Sequence, residues 1–203
     1  IKKNYNFGDQ IYLIEANPKN IEKLKKCYEY YDNVNILNKG ISRHKNKKMS
    51  FFYTEDDAPH YMVCSTKIEH VKKHYQKSKI KEFQVDTITI KNLFENFVKN
   101  KTIDFLSIDL EGIDYDILMS LPLEENNIKN ISIEHLHLSK FQKKKMVNHL
   151  IKNNYSYCGY GYDHDNFDFL FKKKRIFLNI LLSKLLWLVS KKHLNILNYF
   201  IIK

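Results

Sequence analysis

The stretch TIDFLSIDLEGIDYDILMSL (residues 102–121) runs from an apolar, strand-like segment, 103–110, through Asp109 and Glu111 to Gly112 and an amphipathic helix expected over 114–121. Carboxylates that close a buried strand lose hydration and need a proton, a cation or hydrogen-bond donors nearby. A site is therefore expected where this strand ends. In an extended reading residues i and i+2 share one side, so Asp109 and Glu111 would face one pocket, with Gly112 permitting the tight turn into the helix. The pair could hold a substrate hydroxyl, share a proton, or bind a divalent cation with Glu134. Alternatively Glu111 serves the following helix and Asp109 alone reaches the pocket. Asp114 and Asp116 read as first-turn helix acids.

Outward from this stretch, strands and helices alternate. QIYLIEANP is a strand ending at Glu15, with Asn17 and Pro18 opening the helix that KNIEKLKKCYEYY continues. NVNILNKGIS, KMSFFYT and EFQVDTITI read as extended, and IKNLFENFVKN as helical. NIKNISIEHLHL is a strand, Ser139 caps a helix over KFQKKKMVNHLIKNN, and YSYCGYGY with NFDFLFKKK forms a closing antiparallel pair around a DHDN turn. Residues 55–78, polar and weakly periodic, read as an insertion or mobile loop, with a helical turn or two over 70–76. Strands separated by helices argue for an α/β fold, a mostly parallel sheet with helices on both faces. Ligands of such sheets gather at the carboxyl ends of the strands. Here those ends carry Glu15, Asp109 with Glu111, and Glu134 with His135.

The 203 residues, 43% apolar and 14% aromatic, suffice for a core. The net charge of +11 would suit nucleic acid or anionic lipid, but Lys, Asn, Ile and Tyr are abundant throughout while Gly and Pro are scarce, a pattern that AT-rich coding DNA also yields. Without an RNP-like aromatic motif or a basic reading helix, no nucleic-acid partner is expected. Cys27, Cys64 and Cys158 are widely spaced and odd in number, which supports neither a disulfide framework nor a zinc site and points to a reducing, cytoplasmic setting. The chain begins at Ile1 without a signal-peptide core and reads as cut from something longer. Lys184 interrupts the most apolar stretch, 176–189, so no membrane span is expected.

The segments IYLIEANP, NVNILNKGIS, FQVDTITI, FLSIDLEGIDYDILMSL, ISIEHLHL and NNYSYCGYG…NFDFLFKK resemble, in order, the FkbM-like methyltransferases. The resemblance implies a Rossmann-like class I methyltransferase fold over 1–175 with S-adenosylmethionine as cofactor. It implies that Glu15 lies at the cofactor's ribose; beside it, Asn17 and Asp109 are the further candidates for cofactor contact, Asp109 also for catalysis, and Glu111 for the substrate. Without a ligand, Glu15 would be a solvated acid at a helix start. For the base that takes a proton from an acceptor hydroxyl, Glu134, Asp109 and His135 are rivals; His137 shares the side of His135 in an extended reading. The family's first strand and glycine-rich loop would precede Ile1, so the domain reads as truncated at its amino terminus. No metal ligand set is assigned; His60, His70, His74, Asp56, Asp57 and Cys64 are too irregularly spaced, though their loop could act as an acceptor-side lid.

Residues 176–203 form a separate basic, amphipathic helical tail by their pattern, with Phe177, Leu181, Leu185, Leu188 and Val189 opposite Asn179, Ser183, Lys184, Ser190 and Lys191, and Trp187 at the border. Such a tail suits peripheral membrane contact or packing against another part of the protein. The function expected is O-methylation of a hydroxyl on a sugar, glycolipid or related small-molecule or glycan acceptor. The competing expectation is a non-catalytic binding or scaffold module that keeps the fold.

Overall fold

The computed structural model describes residues 10–44, 48–99, 102–161 and 166–173. The tail expected over 176–203 and most of the DHDN turn lie outside the described residues. The chain divides into two compact units, residues 1–90 and 91–203.

In the first unit, β1 (Ile11–Glu15), α1 (Pro18–Cys27) and β2 (Val34–Asn38) form a βαβ unit, its strands parallel in the register Ile11↔Val34 to Glu15↔Asn38. Asn17 caps α1 as the sequence suggests: its side-chain oxygen accepts the Lys19 N–H at 3.0 Å, and Pro18 stands at the first helical position, where its missing N–H costs nothing. A second sheet holds β3 (Gly40–Ser42), β4 (Lys48–Thr54) and β5 (Ile80–Thr89) in the order β3-β5-β4. Gly40 is required by close approach, since a Cβ there would meet the Phe51 ring at 3.0 Å.

Residues 55–78 are not a structureless loop. They contain a 3-10 turn, Glu55–Asp57, and α2 (Ile68–His74), whose Val71 is fully buried. Several of their polar residues are partnered: Asp57 accepts the Val63 N–H at 2.6 Å and the Tyr75 hydroxyl at 2.7 Å, and Ser65 bridges Phe52. Glu55 takes Lys19 at 2.8 Å, the Tyr61 hydroxyl at 2.6 Å and Lys81 at 3.0 Å, which together hold its carboxyl down at about 2. Polar density that reads as a loop in sequence is here a set of tertiary hydrogen bonds.

In the second unit, α3 (Ile90–Leu93), which begins at the unit boundary, runs on into a π-helical turn, Phe94–Val98. The sheet of β6 (Leu106–Ile108), β7 (Asn130–Glu134), β8 (Tyr155–Tyr160) and β9 (Asp168–Lys173) has the order β6-β7-β9-β8. With it go α4 (Asp114–Met119) and α5 (Lys140–Lys152), which supply Ile117, Leu118, Met146, Val147, Leu150 and Ile151 to a core shared with Ile131, Ile133, Tyr155 and Phe171. Buried apolar side chains of this size stabilise by roughly 1.5–3 kcal/mol each. Tyr155 carries its hydroxyl inside by donating to the Ile128 carbonyl at 2.8 Å.

The mostly parallel sheet expected from the alternation is corrected to mixed sheets: β1–β2, β3–β5 and β6–β7 are parallel, and β4–β5, β7–β9 and β8–β9 antiparallel. Only residues 43–47 join β3 to β4, too few for the crossover that parallel pairing needs, so β4 turns back against β5. The run 103–110 is also shorter as a strand than expected, ending at Ile108. The strand over IEHLHL ends at Glu134.

Candidate active site

Strands β6 and β7 run parallel in the register Ile108↔Ile133, so Asp109 and Glu134 leave them at equivalent positions. This is why two acids distant in sequence arrive together. Beyond Asp109 the chain turns at once: Glu111 and Gly112 take φ values of 48° and 106°, and the glycine adopts the second without a Cβ clash. Asp109 and Glu111 therefore do not share a side of an extended strand, because neither is in a strand and Glu111 is left-handed.

Asp114 holds the turn. It is 1% exposed, accepts the Leu110 N–H at 2.6 Å and the Gly112 N–H at 3.0 Å, and so is more than a first-turn helix acid. Its neighbour Ile113 stands at the cap position of α4 and has no side-chain acceptor, a signal in the sequence that the turn's donors must be met from elsewhere. Asp116 is exposed, as its first-turn reading implies.

One carboxylate oxygen each from Asp109, Asp114 and Glu134 lies within 4.8 Å of the others, close enough for one cation to be ligated by all three but too far to require a shared proton. Burial, then the charges of Asp109, Asp114, Glu111 and Asp168, push the Glu134 carboxyl from 4.5 up to about 8. Asp168 faces Glu134 across the β7–β9 pair and accepts the Ser132 hydroxyl at 2.8 Å. His137 lies between two of the acids, its Nε2 3.4 Å from Glu134 and 3.9 Å from Glu111.

His135 is held differently. Its ring is 7% exposed and stacked on Phe169 at 3.7 Å, with Nδ1 3.1 Å from the Lys143 ammonium and Nε2 3.1 Å from the Asn166 carbonyl. These partners fit a neutral imidazole that accepts from Lys143 and donates to Asn166. The histidines do not share a side, since the extended backbone stops before either.

In the first unit, Glu15 closes β1 and turns onto the start of α1, accepting the Asn17 N–H at 2.6 Å and the Asn20 side-chain amide at 3.3 Å. Each carboxylate oxygen has two lone-pair directions, so acceptor capacity is left over. Asn17 is 1% exposed, and its Nδ2 is buried without a hydrogen-bond partner. A buried amide donor without an acceptor is uncommon in folded proteins, and here it stands beside a carboxylate.

A family model described as the methyltransferase FkbM domain matches residues 1–168. The chain belongs to that family. Both the acid-ended strands and the capped Asn17 turn fall inside the matched FkbM domain, and the chain is accordingly methyltransferase-like in fold. No curated protein and no solved structure matches it. No helix among the described residues of this FkbM domain is long and apolar enough to cross a membrane.

Proposed function

We propose that this chain is an S-adenosylmethionine-dependent methyltransferase that acts on a hydroxyl oxygen of a small-molecule or glycan acceptor, such as a sugar or a glycolipid. The observation that carries this reading is Glu134, a carboxyl at a strand end whose affinity for a proton is raised to about 8 by burial and surrounding acids. Once ionised, a carboxylate with that affinity takes a proton from a hydroxyl far better than an ordinary carboxylate does. Family membership supplies the reaction class.

The cofactor, when bound, supplies an electrophilic methyl group. Glu15 would accept from its ribose hydroxyls and Asn17 Nδ2 would donate to it, which fits the spare lone pairs of the one and the unpartnered amide of the other. Asp109 and Glu111 orient the acceptor, and Glu134 receives its proton. His137, at 3.4 Å, then takes that proton toward solvent. His135 is the weaker candidate for the base, because both ring nitrogens already have partners.

Turnover should rise with pH through about 8 as Glu134 ionises. Glu134→Gln should lower turnover by about 100-fold or more and leave cofactor affinity unchanged, while Glu15→Ala should weaken cofactor binding by about 1.5–3 kcal/mol in calorimetry. A Glu134→Gln protein with wild-type turnover and pH profile refutes the role of Glu134. Absence of cofactor binding to the folded protein refutes the reading as a whole.

A further inference from the structure

Within the first unit, residues 55–61 are clasped to the start of α1. Glu55 Oε1 accepts the Lys19 ammonium at 2.8 Å and the Lys81 ammonium at 3.0 Å, while its Oε2 accepts the Tyr61 hydroxyl at 2.6 Å. Lys19 also reaches the Tyr61 hydroxyl at 3.4 Å, and its ammonium stands 5.0 Å from the Tyr61 ring centroid and 5.5 Å from that of Tyr53. Further along α1, Lys23 lies 5.0 Å from the same Tyr61 ring and donates to the Pro59 carbonyl. A lone exposed ion pair contributes little, but here one carboxylate holds several donors and one ring faces both lysines of the helix.

Two features give the clasp a use beyond tacking down a loop. Tyr61 takes a φ of 47°, a left-handed conformation uncommon for a bulky residue, and both its hydroxyl and its ring belong to the clasp. Lys19 is engaged at both ends, its ammonium in the clasp and its backbone N–H donating to Asn17 Oδ1 at 3.0 Å. That second bond decides which edge of the Asn17 amide is Nδ2, the buried donor without a partner. Asn20, the next residue, donates its side-chain amide to Glu15 Oε2 at 3.3 Å. The first turn of α1 therefore orients both Glu15 and Asn17, and the clasp holds that turn. Helix ends fray readily, and this one has no acid in its first turn to steady the dipole and carries Lys19 there instead.

We propose that Glu55 and Tyr61 are positioning residues for the cofactor, acting through Lys19 on Asn17 and Glu15. The proposal rests on the reading of Glu15 and Asn17 as cofactor contacts. Residues 55–61, expected from the sequence to lie in an acceptor-side lid, then serve as a brace for the cofactor. With the clasp open, the first turn of α1 would be ordered only when the cofactor arrives, and that ordering would weaken its binding. The proton transfer assigned to Glu134 uses none of these contacts, so turnover at saturating cofactor should stay near wild type.

The test is calorimetry of S-adenosylmethionine binding to the full chain and to Lys19→Met, Glu55→Gln, Tyr61→Phe and the combined Lys19→Met and Glu55→Gln. Each single variant should raise the cofactor Kd about three- to tenfold, and the cofactor KM with it, at unchanged kcat. The combined variant should lose no more than the larger single loss, because both act through one clasp. In the cofactor-free chain the Asn17 side-chain amide signal should shift in nitrogen-edited NMR spectra of Glu55→Gln and Tyr61→Phe, which a loss of global stability alone does not produce. Lys19 and Glu55 lie at the surface, and Tyr61→Phe keeps the ring and removes only the hydroxyl; an unchanged thermal melt confirms that each variant is folded. Wild-type affinity in the folded variants overturns the brace and leaves the methyl-transfer reading standing. So does a fall in kcat with KM unchanged. A folded wild-type chain that binds no cofactor overturns both.

Discussion

Asp114 accepts two backbone N–H groups, from Leu110 and Gly112, while being 1% exposed, and both donors belong to a turn in which two residues have positive φ. Removing its carboxylate leaves these donors without their acceptor and frees a strained turn to relax. Asp114→Ala should cost about 1.5–3 kcal/mol in urea unfolding, the scale of hydrogen bonds to a charged group. Asp116→Ala, two residues away and exposed, should stay within about 0.5 kcal/mol. Equal effects would show that the two are interchangeable helix acids. The sequence presents Asp114 and Asp116 identically, since each is an acid in the first turn of a short helix. What separates them is which one reaches back over Gly112.

Helix α5 begins with a reciprocal cap: the Ser139 hydroxyl accepts the Gln142 N–H at 3.2 Å, and the Gln142 side chain accepts the Ser139 N–H at 3.0 Å. With no acid in the first turn and a lysine at its first position, the helix has little else to offset its amino-terminal dipole. Ser139→Ala should therefore cost about 1 kcal/mol, read as a lower urea midpoint. Ser139→Asp, which caps and adds a negative charge, should match or exceed the wild type. A neutral Ser139→Ala would mean that packing of Met146, Val147, Leu150 and Ile151 alone sets the helix. Both caps, here and at Asn17, were legible because capping is a contact between residues three or fewer apart. Of the helix within residues 55–78 only a turn or two over 70–76 was legible, because its full extent, Ile68–His74, rests on the burial of Val71 and on hydrogen bonds such as those of Asp57 to Val63 and Tyr75, not on its own period.

At the scale of the molecule, Glu134 makes stability depend on pH. Its native carboxyl binds a proton more tightly than an unfolded one, with an affinity raised from 4.5 to about 8. The native state therefore holds a proton that the unfolded state has lost between those values, so this contribution is full below about 4.5 and drains as pH rises through about 8. Each pH unit in that window is worth at most about 1.4 kcal/mol, and because the group keeps some contact with water the total loss should be about 1–2 kcal/mol. Urea unfolding of Glu134→Gln across this range should show the loss removed. An unchanged slope would place the titration in another acid of the cluster.

The sequence by itself determined the α/β class, the strands that end in acids, the capped helix starts and the family, because strand alternation, helix period and caps are written within a few residues of one another. It placed Glu15, Asp109 and Glu134 at strand ends for the same reason. Only the tertiary structure decided that β4 turns back against β5, that β9 enters between β7 and β8, that Asp114 rather than the strand holds Leu110, and that His137 rather than His135 faces the acids. Each of these depends on which distant groups are desolvated together. The energy of a carboxylate or an imidazole is set by that shared surrounding, which no local pattern records.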